Sequence, residues 1–179
     1  MIDALLQRAG QAPPFELPGL DWSRQRVILA TVHRRENWGE RLQDIGRSFR
    51  QVLDHFPVIA LLLPLDRNPT VREPLQPLLS DHPRAFLTEP LDYDQLVAAM
   101  RGCTLVLSDS GGLQEEAPAL GKPVLVLRRT TERPEAVTAG TAKLIGTVSA
   151  DILREASLLL EDAGAYEAMA HAHGNCQER

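Results

Sequence analysis

The sequence predicts an α/β domain built on a parallel, doubly wound sheet. Six short apolar runs, leucine-rich or β-branched, alternate along the chain with stretches whose apolar residues recur at helical spacing. The polar loops that carry Gly, Arg and His all follow strands. Sheets of this kind bind ligands beyond the carboxyl ends of their strands, near the point where strand order reverses.

Residues 1–6 read as the end of a helix, and residues 9–21, with Pro13, Pro14 and Pro18, as an irregular leading segment. Residues 26–32, Arg-Val-Ile-Leu-Ala-Thr-Val, form a first strand of buried character, opening into the polar loop His33-Arg34-Arg35-Glu36-Asn37-Trp38-Gly39. Leu42, Ile45, Phe49, Val52, Leu53 and Phe56 then recur as one helical stripe that stops at Pro57. Residues 58–63 make the second strand, followed by Pro64-Leu65-Asp66-Arg67-Asn68-Pro69 and a proline-punctuated helix over 71–79. A short third strand spans 84–87, after which Asp92 caps a helix with Leu96, Val97, Ala99 and Met100 on its apolar side. Residues 104–107 are the fourth strand and 123–127 the fifth, joined by a short helix ending at Gly121. Pro134 is placed to start a further helix. Residues 143–145 make a weaker sixth strand, and helices over 151–160 and 166–172 close the chain. The division expected is a leading segment 1–25, a domain 26–172 and a polar tail 173–179.

Bulk properties narrow the function classes. A chain of 179 residues with 44% hydrophobic content suits one folded domain. Nineteen basic against 24 acidic residues leave a net charge of −5, which argues against nucleic-acid partners, although a few arginines can still hold a small anion. Cys103 and Cys176 lie far apart without metal spacing, and Cys103 reads as an inert core thiol. The longest apolar run, 58–63, is too short to span a membrane, and no leader pattern marks the N-terminus. A soluble cytoplasmic protein is expected. No Walker loop, nucleophile elbow, metal cluster or G-x-G-x-x-G occurs, so no cofactor is expected.

Ser108-Asp109-Ser110-Gly111-Gly112-Leu113-Gln114-Glu115-Glu116-Ala117-Pro118 links the fourth strand to the next helix. A glycine turn entering a helix suits an anion: first-turn amides lack helical partners, and the helix dipole adds positive potential. Glu116, six residues beyond Ser110, could accept from a sugar diol. The plain alternative makes Asp109 and Ser110 caps, the glycines a turn and the glutamates a solvated face. His33, beside two arginines, could donate to a phosphate or act as an acid, or merely bond its own loop. One of Arg34 and Arg35 should pair with a loop carboxylate. Arg133 could reach a diphosphate, or bridge to Glu132 or Glu135. His55, His82, His171 and His173 read as solvated.

Five motifs then occur in order: His33-Arg34-Arg35-Glu36-Asn37; Pro90-Leu91-Asp92-Tyr93; the Ser108–Pro118 stretch; Gly121-Lys122-Pro123-Val124-Leu125-Val126; and Thr130-Thr131-Glu132-Arg133-Pro134-Glu135. Together they closely resemble the non-hydrolysing UDP-N-acetylglucosamine 2-epimerases, over roughly residues 1–172. The resemblance implies one of the two Rossmann-like domains of a glycosyltransferase-B architecture, namely the C-terminal, UDP-binding one. It implies that Ser110 and Gly111 meet the diphosphate, Glu116 the ribose, and the Pro90-Leu91-Asp92-Tyr93 segment, through Leu91 and Tyr93, the uracil, with Gly112 a further substrate-binding residue. Arg133 would line the nucleotide, with His33 the catalytic candidate at the reacting centre. It also implies an isomerase that interconverts UDP-GlcNAc and UDP-ManNAc through loss and re-addition of UDP. The family's carboxylates for proton removal belong to an N-terminal domain, so a separate N-terminal half or a second copy are the expected partners, and the isolated chain is expected to be inactive.

Two departures accompany the match. Asp66 stands where the family usually has histidine, and His173-Gly174-Asn175-Cys176-Gln177-Glu178-Arg179 replaces the Asn-Pro-Tyr-Gly-Asp-Gly continuation. The alternatives are a UDP-sugar-binding module without catalysis and the nucleotide domain of a glycosyltransferase. The His-Arg-Arg-Glu-Asn and Thr-Glu-Arg-Pro-Glu motifs favour the epimerase.

Overall fold

The computed structural model describes residues 2–172. The expected tail 173–179, with His173 and Cys176, lies outside the described residues. The strands are β1 (Arg26–Thr31), β2 (Ile59–Pro64), β3 (Ala85–Thr88), β4 (Leu105–Ser108), β5 (Val124–Val126) and β6 (Ala142–Leu144). The α-helices are α1 (Ile2–Gln11), α2 (Glu40–His55), α3 (Pro69–Leu79), α4 (Tyr93–Gly102), α5 (Leu113–Ala119), α6 (Pro134–Ala139), α7 (Ser149–Glu161) and α8 (Ala163–Ala170).

All six strands run parallel in one sheet, in the order β3-β2-β1-β4-β5-β6. This is the doubly wound, Rossmann-like arrangement the alternating pattern predicts. Strand β1 sits at the centre, with Ile28 level with Leu61 on one side and Leu105 on the other. Because every strand after β1 must return through a helix, helices cover both faces. Ile28 and Ala30 point to the face packed by Leu42, Phe49, Val71 and Ile152 from α2, α3 and α7. Val27 and Leu29 point to the opposite face, against Leu5, Val97 and Ala117 from α1, α4 and α5. Each buried Leu or Ile side chain contributes about 1.5–3 kcal/mol to this core.

Asp92 makes the expected cap as a full capping box: its carboxylate accepts from the Gln95 amide, while Gln95 Oε1 accepts from the Asp92 amide. Helix α1 runs to Gln11, beyond the six residues read from sequence. Arg101, reaching from α4, donates to the carbonyls of Ala9 and Ala12 and so satisfies the helix end.

One histidine reading is corrected. His82 is buried, with Nε2 3.0 Å from Asp54 Oδ1 and Nδ1 accepting from the Arg84 amide. The connection from α3 to β3 tucks beneath the end of α2, where Arg84 also donates to the carbonyls of Leu53, Phe56 and Ile59. Helix-end position in the sequence did not reveal that α2 would cover this turn. His55 and His171 are exposed, as expected.

Candidate functional site

In this strand order the chain leaves β1 toward β2 on one side and later returns beside β1 as β4. The reversal therefore falls between β1 and β4, where a crevice opens beyond the strand ends. Thr31 and Ser108, partners in register, close its floor with hydroxyls 2.7 Å apart.

Asp109 organises the loops above this floor. Its carboxylate, fully buried, accepts from the amides of His33 and Arg34 and from Asn37 Nδ2. Three N–H donors compensate a charge that burial alone would make costly. Asn37 uses its second amide hydrogen on the Leu127 carbonyl, tying the β5 end to the same post. His33 Nδ1 lies 3.3 Å from Asp109 Oδ1, beside the carboxylate that accepts from the backbone amide of His33. Asp109 is thus no helix cap. The N-cap of α5 is Gly112, which makes no side-chain cap bond.

No group among the described residues accepts from the amides of Gly111 or Gly112. Ser110 donates its own amide back to Ser108 Oγ, and its hydroxyl lies 3.9 Å from a Cβ position on Gly112. Two free amides at a helix entrance form a concavity for an anion. Across the turn, the Thr131 hydroxyl donates to Gln114 Oε1 and accepts the Arg133 amide. Arg133 pairs through Nη1 with Glu115 at 3.1 Å rather than with Glu132 or Glu135. Its Nε is buried without an acceptor and lies 4.0 Å from where a Cβ on Gly111 would sit. Buried N–H groups in folded proteins normally find partners. Trp22 Nε1 and Trp38 Nε1 share this condition, while the Arg133 side chain as a whole is 42% exposed.

A chain of ion pairs forms the back wall. Arg34 binds Glu132 Oε1 at 2.6 Å, and Arg128 bridges Glu132 and Glu36. The hydrogen bond from Arg128, followed by backbone bonding and the charges of Arg128 and Arg34, holds the Glu132 carboxyl down at about 2.

On the other side of the turn, Glu116 Oε1 comes within 3.8 Å of a Cβ position on Gly112. Burial, then the neighbouring Glu115 charge, push its carboxyl above the ordinary range. Tyr93 at the start of α4 is raised by burial and then by the Glu116 charge, and the Arg8 guanidinium lies over its ring at 5.2 Å. Leu91, His33, Asp66 and Arg67 line a cavity of about 450 Å³ beyond β1, β2 and β3. Asp66 accepts the Asn68 amide within its own loop. No group of three or more metal-ligating side chains occurs among the described residues. No helix among them is long and apolar enough to cross a membrane.

The structure therefore gathers Ser110, Gly111, Gly112, Glu116 and Arg133 around one turn, with Tyr93 at the start of α4, His33 held through Asp109, and Leu91 on the adjoining cavity. Sequence reasoning missed Asp109 as the central acceptor and Glu132 as the bridge between two arginines. The one legible signal for Asp109 was an acid placed directly after a buried strand.

Fold and site define a Rossmann-like domain with a glycine turn, its amides unpartnered among the described residues, at the topological switch point. The chain belongs to the UDP-N-acetylglucosamine 2-epimerase family, whose model matches residues 1–178. It is 50% identical over 170 residues to the UDP-N-acetylglucosamine 2-epimerase of Neisseria meningitidis, covering 95% of this chain and 44% of that protein. The enzyme of Escherichia coli K12 is 45% identical over 149 residues, covering 83% of this chain and 40% of that one. The N. meningitidis epimerase solved with UDP-GlcNAc superposes with a TM-score of 0.85 at 42% identity, covering 99% of this chain and 52% of that one. A trehalose-phosphate synthase from Burkholderia vietnamiensis shares the fold at 14% identity and a TM-score of 0.72, over 96% of this chain and 46% of that one. The chain spans about half the length of the curated relatives it matches (44% and 40%).

Proposed function

We propose that this chain is the cytoplasmic, UDP-binding C-terminal half of a non-hydrolysing UDP-N-acetylglucosamine 2-epimerase. The observation that carries the reading is the buried, unpartnered Arg133 Nε facing a glycine turn with two free amides. Those groups suit a diphosphate, with Glu116 accepting from the ribose and Tyr93 and Leu91 flanking the base. Similarity to an enzyme solved with UDP-GlcNAc supports the same assignment.

In the proposed reaction a base removes the C2 proton and the C1–O bond breaks. UDP leaves with the bonding electrons, and 2-acetamidoglucal forms. Re-addition of UDP at C1 with protonation of C2 from the opposite face gives the 2-epimer. This chain's part is electrostatic: the turn amides and Arg133 stabilise charge developing on the departing diphosphate. His33, steadied by Asp109, is the acid candidate at the leaving oxygen. The base for C2 belongs to an N-terminal half, so turnover requires that partner.

The test is thermal unfolding of the 179-residue chain with UDP and, separately, ADP. At ~100 times the dissociation constant, UDP stabilises by about 2.7 kcal/mol. At about 2–4 °C per kcal/mol, the midpoint rises by roughly 5–10 °C. A shift equal for ADP, or none, removes the reading. Epimerisation by the chain alone would remove the half-enzyme assignment, and its absence after mixing with a family N-terminal half that folds would favour a binding module.

A further inference from the structure

We infer that Glu132 is a positioning residue of the proposed diphosphate site, and that residue 111 is glycine to admit the Glu132 carboxylate rather than the ligand. The inference rests on the nucleotide reading above. Gly111 does not have a left-handed backbone; the positive-φ glycines are Gly19, Gly39, Gly121, Gly140 and Gly146. Its lack of a side chain therefore answers a steric demand and not a conformational one. A Cβ built on Gly111 would lie 2.5 Å from Glu132 Oε1, far inside contact distance. A carboxylate at the end of a flexible side chain could ordinarily swing aside. This one is pinned between Arg34 Nη2 at 2.6 Å and Arg128 Nη1, and Arg128 is itself buried and bonded to Glu36.

The pinning reaches the turn directly. Arg34, while bonded to Glu132, donates from Nε to the Asp109 carbonyl at 3.0 Å, one residue before Ser110. Glu132 thus holds the guanidinium that orients the peptide leading into the turn, and it presses the β5–α6 loop onto Gly111. That loop also carries Arg133. The carboxylate contributes no ligand contact, and its charge is matched by two guanidiniums, so it does not repel an incoming anion. Removing it would leave the free amides present but differently aimed, and charge-assisted bonds lose strength quickly with misalignment.

The experiment is a double-mutant cycle on the 179-residue chain, with UDP affinity by calorimetry and uridine affinity by NMR titration. Gly111→Ala and Glu132→Ala are each expected to weaken UDP about tenfold, the equivalent of one charge-assisted contact. The Gly111→Ala/Glu132→Ala pair is expected to be no weaker than Glu132→Ala, since truncation empties the space the new methyl needs. Uridine affinity stays within about twofold throughout, because the base and ribose contacts do not pass through Glu132. Losses that multiply to about a hundredfold in the double alanine variant would show that Gly111 admits the ligand, and the inference falls. A parallel loss of uridine affinity assigns Glu132 to folding and also overturns it. If the unmodified chain fails to bind UDP, the nucleotide reading falls first and takes the inference with it.

Discussion

Asn37 donates from Nδ2 to Asp109 Oδ2 at 3.0 Å, and both side chains are shut off from solvent. The pair joins the loop after β1 to the loop after β4 across the point where strand order reverses. A buried carboxylate with one donor removed loses part of its hydrogen-bond compensation. Asn37→Ala is therefore expected to cost about 2 kcal/mol, within the range for an unsatisfied buried group. For a chain of this size that lowers the melting midpoint by roughly 4–8 °C. A midpoint within a degree of the parent would show that Asp109 finds another donor.

Asp109→Asn tests the same post from the other side. The amide keeps the shape but turns one acceptor into a donor facing N–H groups, so a loss of about 2–3 kcal/mol in chemical denaturation is expected. Asn37→Ala and Asp109→Asn share a partner, and their effects should sum to less than the parts.

Glu116→Gln is expected to weaken UDP about tenfold if the carboxylate accepts the ribose hydroxyls, since the amide offers one acceptor oxygen rather than two. Because burial raises the Glu116 carboxyl, its contribution should begin to fade on acidification at a higher pH than for an ordinary glutamate. UDP titrations of parent and variant from neutral to acidic pH should converge. Unchanged affinity in the variant would return Glu116 to a solvated role.

Glu132 makes stability depend on acid. Its folded-state carboxyl is held at about 2, below the ordinary 4.5. A group depressed on folding stabilises fully above its unfolded value and loses that contribution as pH falls through its folded one. The advantage of the parent over Glu132→Gln, read from denaturant midpoints, should be constant above about pH 5 and shrink as pH drops from 4.5 toward 2. A pH-independent difference would contradict the ion-pair assignment. Because the carboxylate is partly exposed, added salt should also reduce the advantage.

Cys103 should be chemically silent in the folded state. Burial pushes its thiol up to about 12, so almost no thiolate is present at pH 8. Peptide-resolved alkylation should leave Cys103 unmodified in native buffer and label it only in denaturant. Prompt labelling at a rate like that of a free thiol would mean that the face carrying α4 opens readily.

By itself the sequence determined the layered fold. Apolar runs of strand length alternating with helical stripes admit little besides a parallel sheet covered on both faces, and all six strands lie within a residue or two of their expected places. The gathering of polar loops at one sheet edge followed from the same alternation, as did Asp92 capping α4 and the burial of Cys103. Tertiary structure alone decided which charges meet. Glu132 is four residues from Arg128 but 98 from Arg34, and Asp109 is 72 from Asn37, so no local pattern could pair them. His82 is buried because α2 folds over the turn that carries it, a fact about packing rather than about its neighbours in the chain. Periodicity is a local property and specifies elements. The partner of a buried charge depends on which loops the strand order brings together, and that is settled only when the sheet closes around β1 and β4.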